Sequence, residues 1–145
     1  MNQLYLFATL AGTRIAVETR EVEAVVKLTD ISPVPGMGAH VAGLSALRSR
    51  VLTVIDVAAL VRGRKAPAQQ RGFAIIADIS GHSYGLMVDA VHDICQVPVG
   101  ELPLRGQLDP AWIPYARSLV EHEGQPYLLV SLSGFIEGGS VTQAA

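Results

Sequence analysis

Two arginines, Arg48 and Arg50, interrupt the apolar run GLSALRSRVLTVID (43–56), with Ser49 alone between them. A guanidinium group is almost never fully buried without a partner, so the pair raises the question of phosphate, nucleic acid, catalysis or another protein. Phosphate has a weak claim. Gly38 to Gly43 has the G-x-x-x-x-G frame of a phosphate-binding loop, but Leu44-Ser45 stands where Lys-Ser/Thr would supply the charge. Metal chemistry needs converging ligands, and His40, His82, His92 and His122 are scattered without zinc-like Cys/His spacing. Asp89 and His92 would share a face if their segment were helical, although a capped short helix accounts for them equally well. His82, beside Gly81, and His122, inside Glu-His-Glu, read as solvated turns. Nucleophilic catalysis fares no better: GLSAL carries Leu47 where a G-x-S-x-G elbow needs glycine. Cys95, within ICQV, has the setting of a small buried hydrophobe. These residues assign no catalytic, cofactor-binding or metal-binding role, and the expectation is a protein that is not an enzyme.

The remaining basic residues carry more information. Arg48, Arg50, Arg62, Arg64, Lys65 and Arg71 fall within residues 48–71, where Asp56 is the one acid. A single-strand nucleic-acid surface would interleave aromatics for stacking, and this stretch has none. Nucleic acid is therefore the weaker alternative, and Arg62 to Lys65 read as a solvated loop. The net charge of −2 gives no bulk attraction to nucleic acid or anionic lipid.

Those side chains must be held by a packed core, and the composition provides for one. Half of the 145 residues are apolar and 17% are charged, which argues against disorder. One cysteine cannot form an internal disulfide, and this points to a reducing compartment. The N-terminal MNQLYLFATLAGTR lacks a basic n-region, and nowhere do 18 apolar residues run together. The expectation is a soluble cytoplasmic domain.

The dominant rhythm is strand-like. Residues 4–10 and 14–17 flank a turn at Ala11-Gly12-Thr13, and residues 73–79 and 83–88 flank one at Ser80-Gly81-His82. Pairs 69 residues apart match in character: Leu4 with Phe73, Phe7 with Ile76, Gly12 with Gly81, Val22 with Val91, Val25 with Ile94. LTVIDV (52–57) similarly matches YLLVSL (127–132) at an offset of 75. Two similarly built lobes follow. Prolines 33, 35, 98, 103, 110 and 114 break the strand-like runs, and RGRKAPAQQ (62–70) separates the repeats. Helices should be few and short, with Asp56, Ser131 and Asp89 as N-caps ahead of VAALV, LSGFI and AVHDI. The expected fold is all-β, a barrel or sandwich class. Residues 1–140 should form a single domain, with lobes at approximately 14–70 and 4–13 plus 71–137, and 138–145 as a frayed tail.

The order and spacing of these segments resemble the CheW-like family of bacterial chemotaxis adaptors. YLFATLAGTRIAVETREV, VPG, VAGLSALRSRVLTVIDVAAL, YGLMVDAVHDICQV and PYLLVSL carry the resemblance from about Leu4 to Ile136. Its most specific pieces are Gly-Leu-x-x-Leu-Arg before a strand ending in Val-Ile-Asp, and Gly-Leu-x-Val-Asp-x-Val in the second half. The resemblance implies two five-stranded SH3-like barrels packed together and no catalysis. It also implies a cytoplasmic scaffold at membrane-bound receptor arrays. That scaffold would couple the cytoplasmic tip of methyl-accepting chemoreceptors to the regulatory domain of a CheA-type histidine kinase. Matched by position, Arg48, Val22, Val25, Val88 and Val91 become the partner-binding residues, while Asp89 keeps its reading as a cap and Arg50 is expected in solvent at the start of the next strand. A scaffold of a paralogous array, for surface sensing or pilus motility, is the alternative within the family. This chain departs from the family's pattern at Ser49, where glycine is common, at Ala24, where glutamate is expected, and at Thr53, where proline is common.

Overall fold

The computed structural model describes residues 3–28, 31, 32, 41–47, 50–62, 73–97, 101–104 and 110–136. Among them, strands β1 (Gln3–Leu10), β2 (Thr13–Glu18), β8 (Ala90–Val97), β9 (Ala116–His122) and β10 (Gln125–Val130) make one sheet, in the order β8-β1-β2-β10-β9. Strands β3 (Ala24–Lys27), β4 (Val41–Leu47), β5 (Arg50–Ile55), β6 (Phe73–Ile79) and β7 (His82–Met87) make the other, in the order β3-β6-β7-β5-β4. A short helix, α1 (Val57–Arg62), follows β5, and residues 132–136 are helical after β10. The all-β, two-lobe expectation holds. In its hydrogen bonding each lobe is an open five-stranded sheet rather than a closed barrel, since no ladder joins its end strands among the described residues.

The registers obey the sequence repeat. Leu6 pairs with Ile94 as Ile75 pairs with Val25, and Ile15 pairs with Leu128 as Tyr84 pairs with Thr53. Tyr127 opposes Val120 as Leu52 opposes Ser45, and both of these hairpins carry a register shift near the same end. Three connections, Ala11-Gly12, Ser80-Gly81 and Glu123-Gly124, have both residues at positive φ. That is what a two-residue type I′ hairpin needs, because its twist matches that of the strands it joins.

The lobe boundaries differ from the expected 14–70 and 4–13 plus 71–137. The tight turn at 11 and 12 ties β2 to β1, so a boundary at residue 14 would cut a hairpin. The second lobe is instead continuous from β3 to β7, while β1 and β2 join β8, β9 and β10. The third strand of each repeat crosses over: β3 pairs with β6 of the other repeat, and β8 with β1. The spatial unit is therefore offset from the sequence unit.

The capping expectations resolve differently at each site. Asp56 Oδ1 accepts the Ala59 N–H at 3.1 Å and caps α1. Ser131 lies at the start of the helical residues 132–136, but the free Leu132 N–H goes to Glu21 Oε1 at 3.0 Å, and the Ser131 hydroxyl also donates to that carboxylate. Asp89 caps no helix, because AVHDI is the start of β8. Its carboxylate accepts the Gly12 N–H at 2.9 Å and pins the β1–β2 turn. Asp89 is thus engaged by the β1–β2 turn, while His92 Nε2 lies 2.6 Å from the Thr9 hydroxyl, so each has its own partner.

Alternation along the central strands divides the core. Leu6 and Ala8 of β1 meet Ile75 and Ala77 of β6 in a cluster shared by both lobes. Tyr5 and Phe7 point the other way into the first lobe, as Ala74 and Ile76 do into the second. Gly43, which opens the GLSALR segment, has a φ of 150°, and a Cβ there would lie 2.4 Å from the Ser32 carbonyl oxygen. Ser32 bridges Leu44 at that point, so two backbones cross and leave no room for a side chain. Gly43→Ala should lower the unfolding free energy by about 1–3 kcal/mol, combining clash and backbone strain. Gly134→Ala, in open helical surroundings, should be neutral or stabilising by up to about 1 kcal/mol. Urea unfolding of the two variants measures the contrast.

Candidate partner-binding groove

The chain passes from the first sheet to the second between β2 and β3, and the acids on this crossing are committed to different elements. Glu18, buried at the end of β2, pairs with Arg20 and with Arg117 of β9. Glu21, in the 3₁₀ turn Thr19–Glu21, receives Leu132 N–H and Ser131 Oγ. Glu23 takes both terminal nitrogens of Arg50, at 2.7 and 3.3 Å, while its own N–H donates to the Ile76 carbonyl. The Arg50 guanidinium also reaches Asp78 at 3.8 Å. Arg50 is exposed, but it is not the freely solvated side chain that its position suggested. Its hydrogen bonds to Glu23 and that carboxylate's charge hold it firmly protonated.

Beside this crossing lies an open groove of about 440 Å³, bounded by Arg20 to Glu23, by Ala77 to Ile79 at the end of β6, and by Leu132 and Ser133. Ala77 and Leu132 are buried beneath it, Val22 and Ile79 are half-buried, and Arg20, Glu23 and Asp78 form a charged rim. Among the described residues no thiol or imidazole lines it. Its carboxylates are engaged within the chain, so the arrangement offers docking surface rather than reactive groups.

Of the residues proposed from the sequence, Val22 lines the groove. Val25 on β3 and Val91 on β8 are half-buried against the shared core, and Val88, 6% exposed, is part of it. The structure therefore brings Val22, Val25, Val88 and Val91 to one apolar cluster but opens only Val22 to the groove. Arg48 and Ser49 lie outside the described residues. Arg20, Glu21 and Ile79 were missed as groove residues, because nothing in a linear pattern brings residue 20 beside residues 79 and 132.

A family model described as the CheW-like domain matches residues 4–139. The chain belongs to the CheW-like domain family. Two curated relatives named chemotaxis protein CheW are similar to it. The one from Rhizobium meliloti is 31% identical over 105 residues, covering 72% of this chain and 68% of the relative. The one from Thermotoga maritima is 25% identical over 123 residues, covering 85% and 80%. The crystal structure of a scaffolding protein CheW from Thermoanaerobacter tengcongensis superposes with a TM-score of 0.77 at 21% identity, covering 91% of this chain and 90% of that one. That likeness is one of fold.

Two departures of this CheW-like chain from the family's pattern acquire a local meaning. Ala24 is half-buried on β3 against the second lobe's core, whereas Glu23 precedes the strand and faces Arg50. Thr53 lies between two neighbours, paired with Leu44 on β4 and Tyr84 on β7.

Burial by itself would raise the Glu18 carboxyl, but the hydrogen bonds and charges of Arg117 and Arg20 outweigh it and hold the group below its ordinary value near 4.5. Glu101 is lowered first by the Ser118 hydroxyl, at 2.7 Å, and then by Arg117. A carboxyl that is a stronger acid when folded stabilises the fold fully above its unfolded pKa, and the contribution is lost as pH falls through the folded value. Arg117→Met should therefore cost about 1–3 kcal/mol near pH 7, after allowance for the partial exposure of Arg117. The gap to wild type should be narrower at about pH 3 than near pH 7, because both carboxyls take up protons as pH falls through their lowered folded values. Urea titrations at the two pH values test this, and a gap independent of pH would remove the ion pair from the account.

Proposed function

We propose that this chain is the coupling adaptor of a chemoreceptor array in the cytoplasm, joining the cytoplasmic tip of methyl-accepting chemoreceptors to the regulatory domain of a CheA-type histidine kinase by docking alone. Family membership and the chemotaxis relatives support the reading. The observation that carries it is the groove at the crossing between lobes, with its apolar floor and charged rim. An amphipathic receptor helix would seat its i, i+3 and i+4 side chains over Ala77, Ile79 and Val22, with polar contacts to the rim. Arg48 follows β4, and its planar guanidinium suits a carboxylate or carbonyl on the partner. Val25, Val88 and Val91 serve the site from behind, by packing the core on which the groove rests.

An RNA- or DNA-binding module loses ground, because Arg50 of the basic stretch is occupied by Glu23. No helix among the described residues is long and apolar enough to cross a membrane.

Co-sedimentation of this protein with a receptor-tip fragment and a kinase regulatory domain tests the proposal. Wild type should bring down both. Ile79→Glu and Arg48→Glu should each weaken receptor capture roughly ten-fold or more, the effect expected of a central contact. Unchanged capture by both variants would remove the groove and Arg48 from the interface. Failure of wild type to bind either partner would overturn the adaptor reading itself.

A further inference from the structure

Three chemically capable side chains meet at one place that the groove does not use. Asp93, Cys95 and His122 offer ligand atoms that all lie within 4.8 Å of one another. Asp93 and Cys95 are two apart on β8 and so share a face; His122 is the last residue of β9. These strands are opposite ends of the sheet order β8-β1-β2-β10-β9. The sheet curls until its two free edges face each other, and this cluster sits in the seam. His122 Nε2 lies 3.2 Å from Asp93 Oδ2 and 3.7 Å from Cys95 Sγ. The imidazole stacks on Phe7 at 4.4 Å with an 8° interplanar angle, which fixes the ring while leaving its in-plane nitrogens available.

The geometry points to a zinc-class cation site, in which a borderline divalent d-block ion bound by Cys95, His122 and Asp93 staples β8 to β9. Zinc–ligand bonds of the usual lengths at a tetrahedral angle would put sulfur and nitrogen about 3.5 Å apart, and nitrogen and oxygen about 3.4 Å apart. The observed 3.7 and 3.2 Å need shifts of a few tenths of an ångström or less. One thiolate, one imidazole and one carboxylate form a donor set that zinc accepts, with a fourth position for water. Binding would replace the Cys95 proton with the metal and release that proton to solvent. His122 is half-buried and Asp93 half-exposed, so the seam is open to an entering ion.

The duplicated fold provides an internal control. At the offsets that relate the lobes, the positions of Asp93, Cys95 and His122 correspond to Ala24, Val26 and Leu47 in the second lobe. That lobe builds the same strand order with apolar residues there, so the fold does not require the polar trio. A hydrolytic Cys-His-Asp triad is the competing reading, and the geometry speaks against it. A triad places thiol and carboxylate on opposite ring nitrogens, whereas here Sγ is 3.5 and 3.7 Å from the two nitrogens and does not lie along either one.

The test uses the full chain, stripped with chelator under reducing conditions and titrated with Co²⁺. One equivalent should develop thiolate-to-cobalt charge-transfer absorption, and Zn²⁺ should displace it. Cys95→Ser should abolish the band, and Asp93→Asn, a half-exposed and conservative change, should weaken affinity beyond the roughly 10- to 100-fold that loss of an outer-shell partner costs. Circular dichroism establishes that the variants are folded. Absence of the band in folded wild type at saturating Co²⁺, or wild-type affinity in Asp93→Asn, would overturn the assignment.

Discussion

The two-sided burial of β1 and β6 is the constraint on which the rest of the molecule depends. Each strand gives one face to its own lobe and the other to the cluster between the lobes, so neither sheet can move without opening both cores. Leu6, Ile75 and Leu86 are fully buried in the shared cluster, and each such side chain removed from water is worth about 1.5–3 kcal/mol. Strand exchange makes the coupling stronger, because β3 and β8 each complete a sheet whose central hairpin belongs to the other repeat. The end of β6 then forms one wall of the groove, so the groove is an extension of the core.

Polar groups are used here to place the crossing rather than to react. Glu18, Glu21 and Glu23 follow one another closely along the chain, yet they anchor to β9, to the helical residues after β10, and to β5. Each bond fixes a different end of the crossing, and together they keep the groove mouth in shape. A site whose carboxylates are satisfied internally suits recognition by surface.

The duplication also shows where the lobes have diverged. Their backbones share register pairs, the bulge in the β4–β5 and β9–β10 hairpins, and the turn geometry at Ala11-Gly12 and Ser80-Gly81, so unequal side chains at equivalent positions are differences that the fold does not demand. Arg50 and Gln125 are such a pair: the first holds Glu23 and Ser83, and the second accepts from Arg14. The seam between β8 and β9 is another, carrying acid, thiol and imidazole where the second lobe has small or apolar residues.

Much of this was legible in the chain itself. Alternating apolar residues bounded by Gly-bearing turns specified strands and hairpins, because side-chain direction has a period of two and type I′ turns need positive φ. The offsets of 69 and 75 carried the duplication down to individual register pairs, and the family motifs carried membership. What the pattern could not decide was partnership. It assigned β2 to the wrong lobe, took AVHDI for a capped helix, left Arg50 in solvent and placed His122 in a solvated turn. The reason is common to all four: strand exchange, the Asp89–Gly12 bond, the Glu23–Arg50 pair and the seam of Asp93, Cys95 and His122 join residues whose separation along the chain bears no relation to their separation in space. Local preference sets what a segment becomes, and the burial of both faces of β1 and β6 decides what it meets.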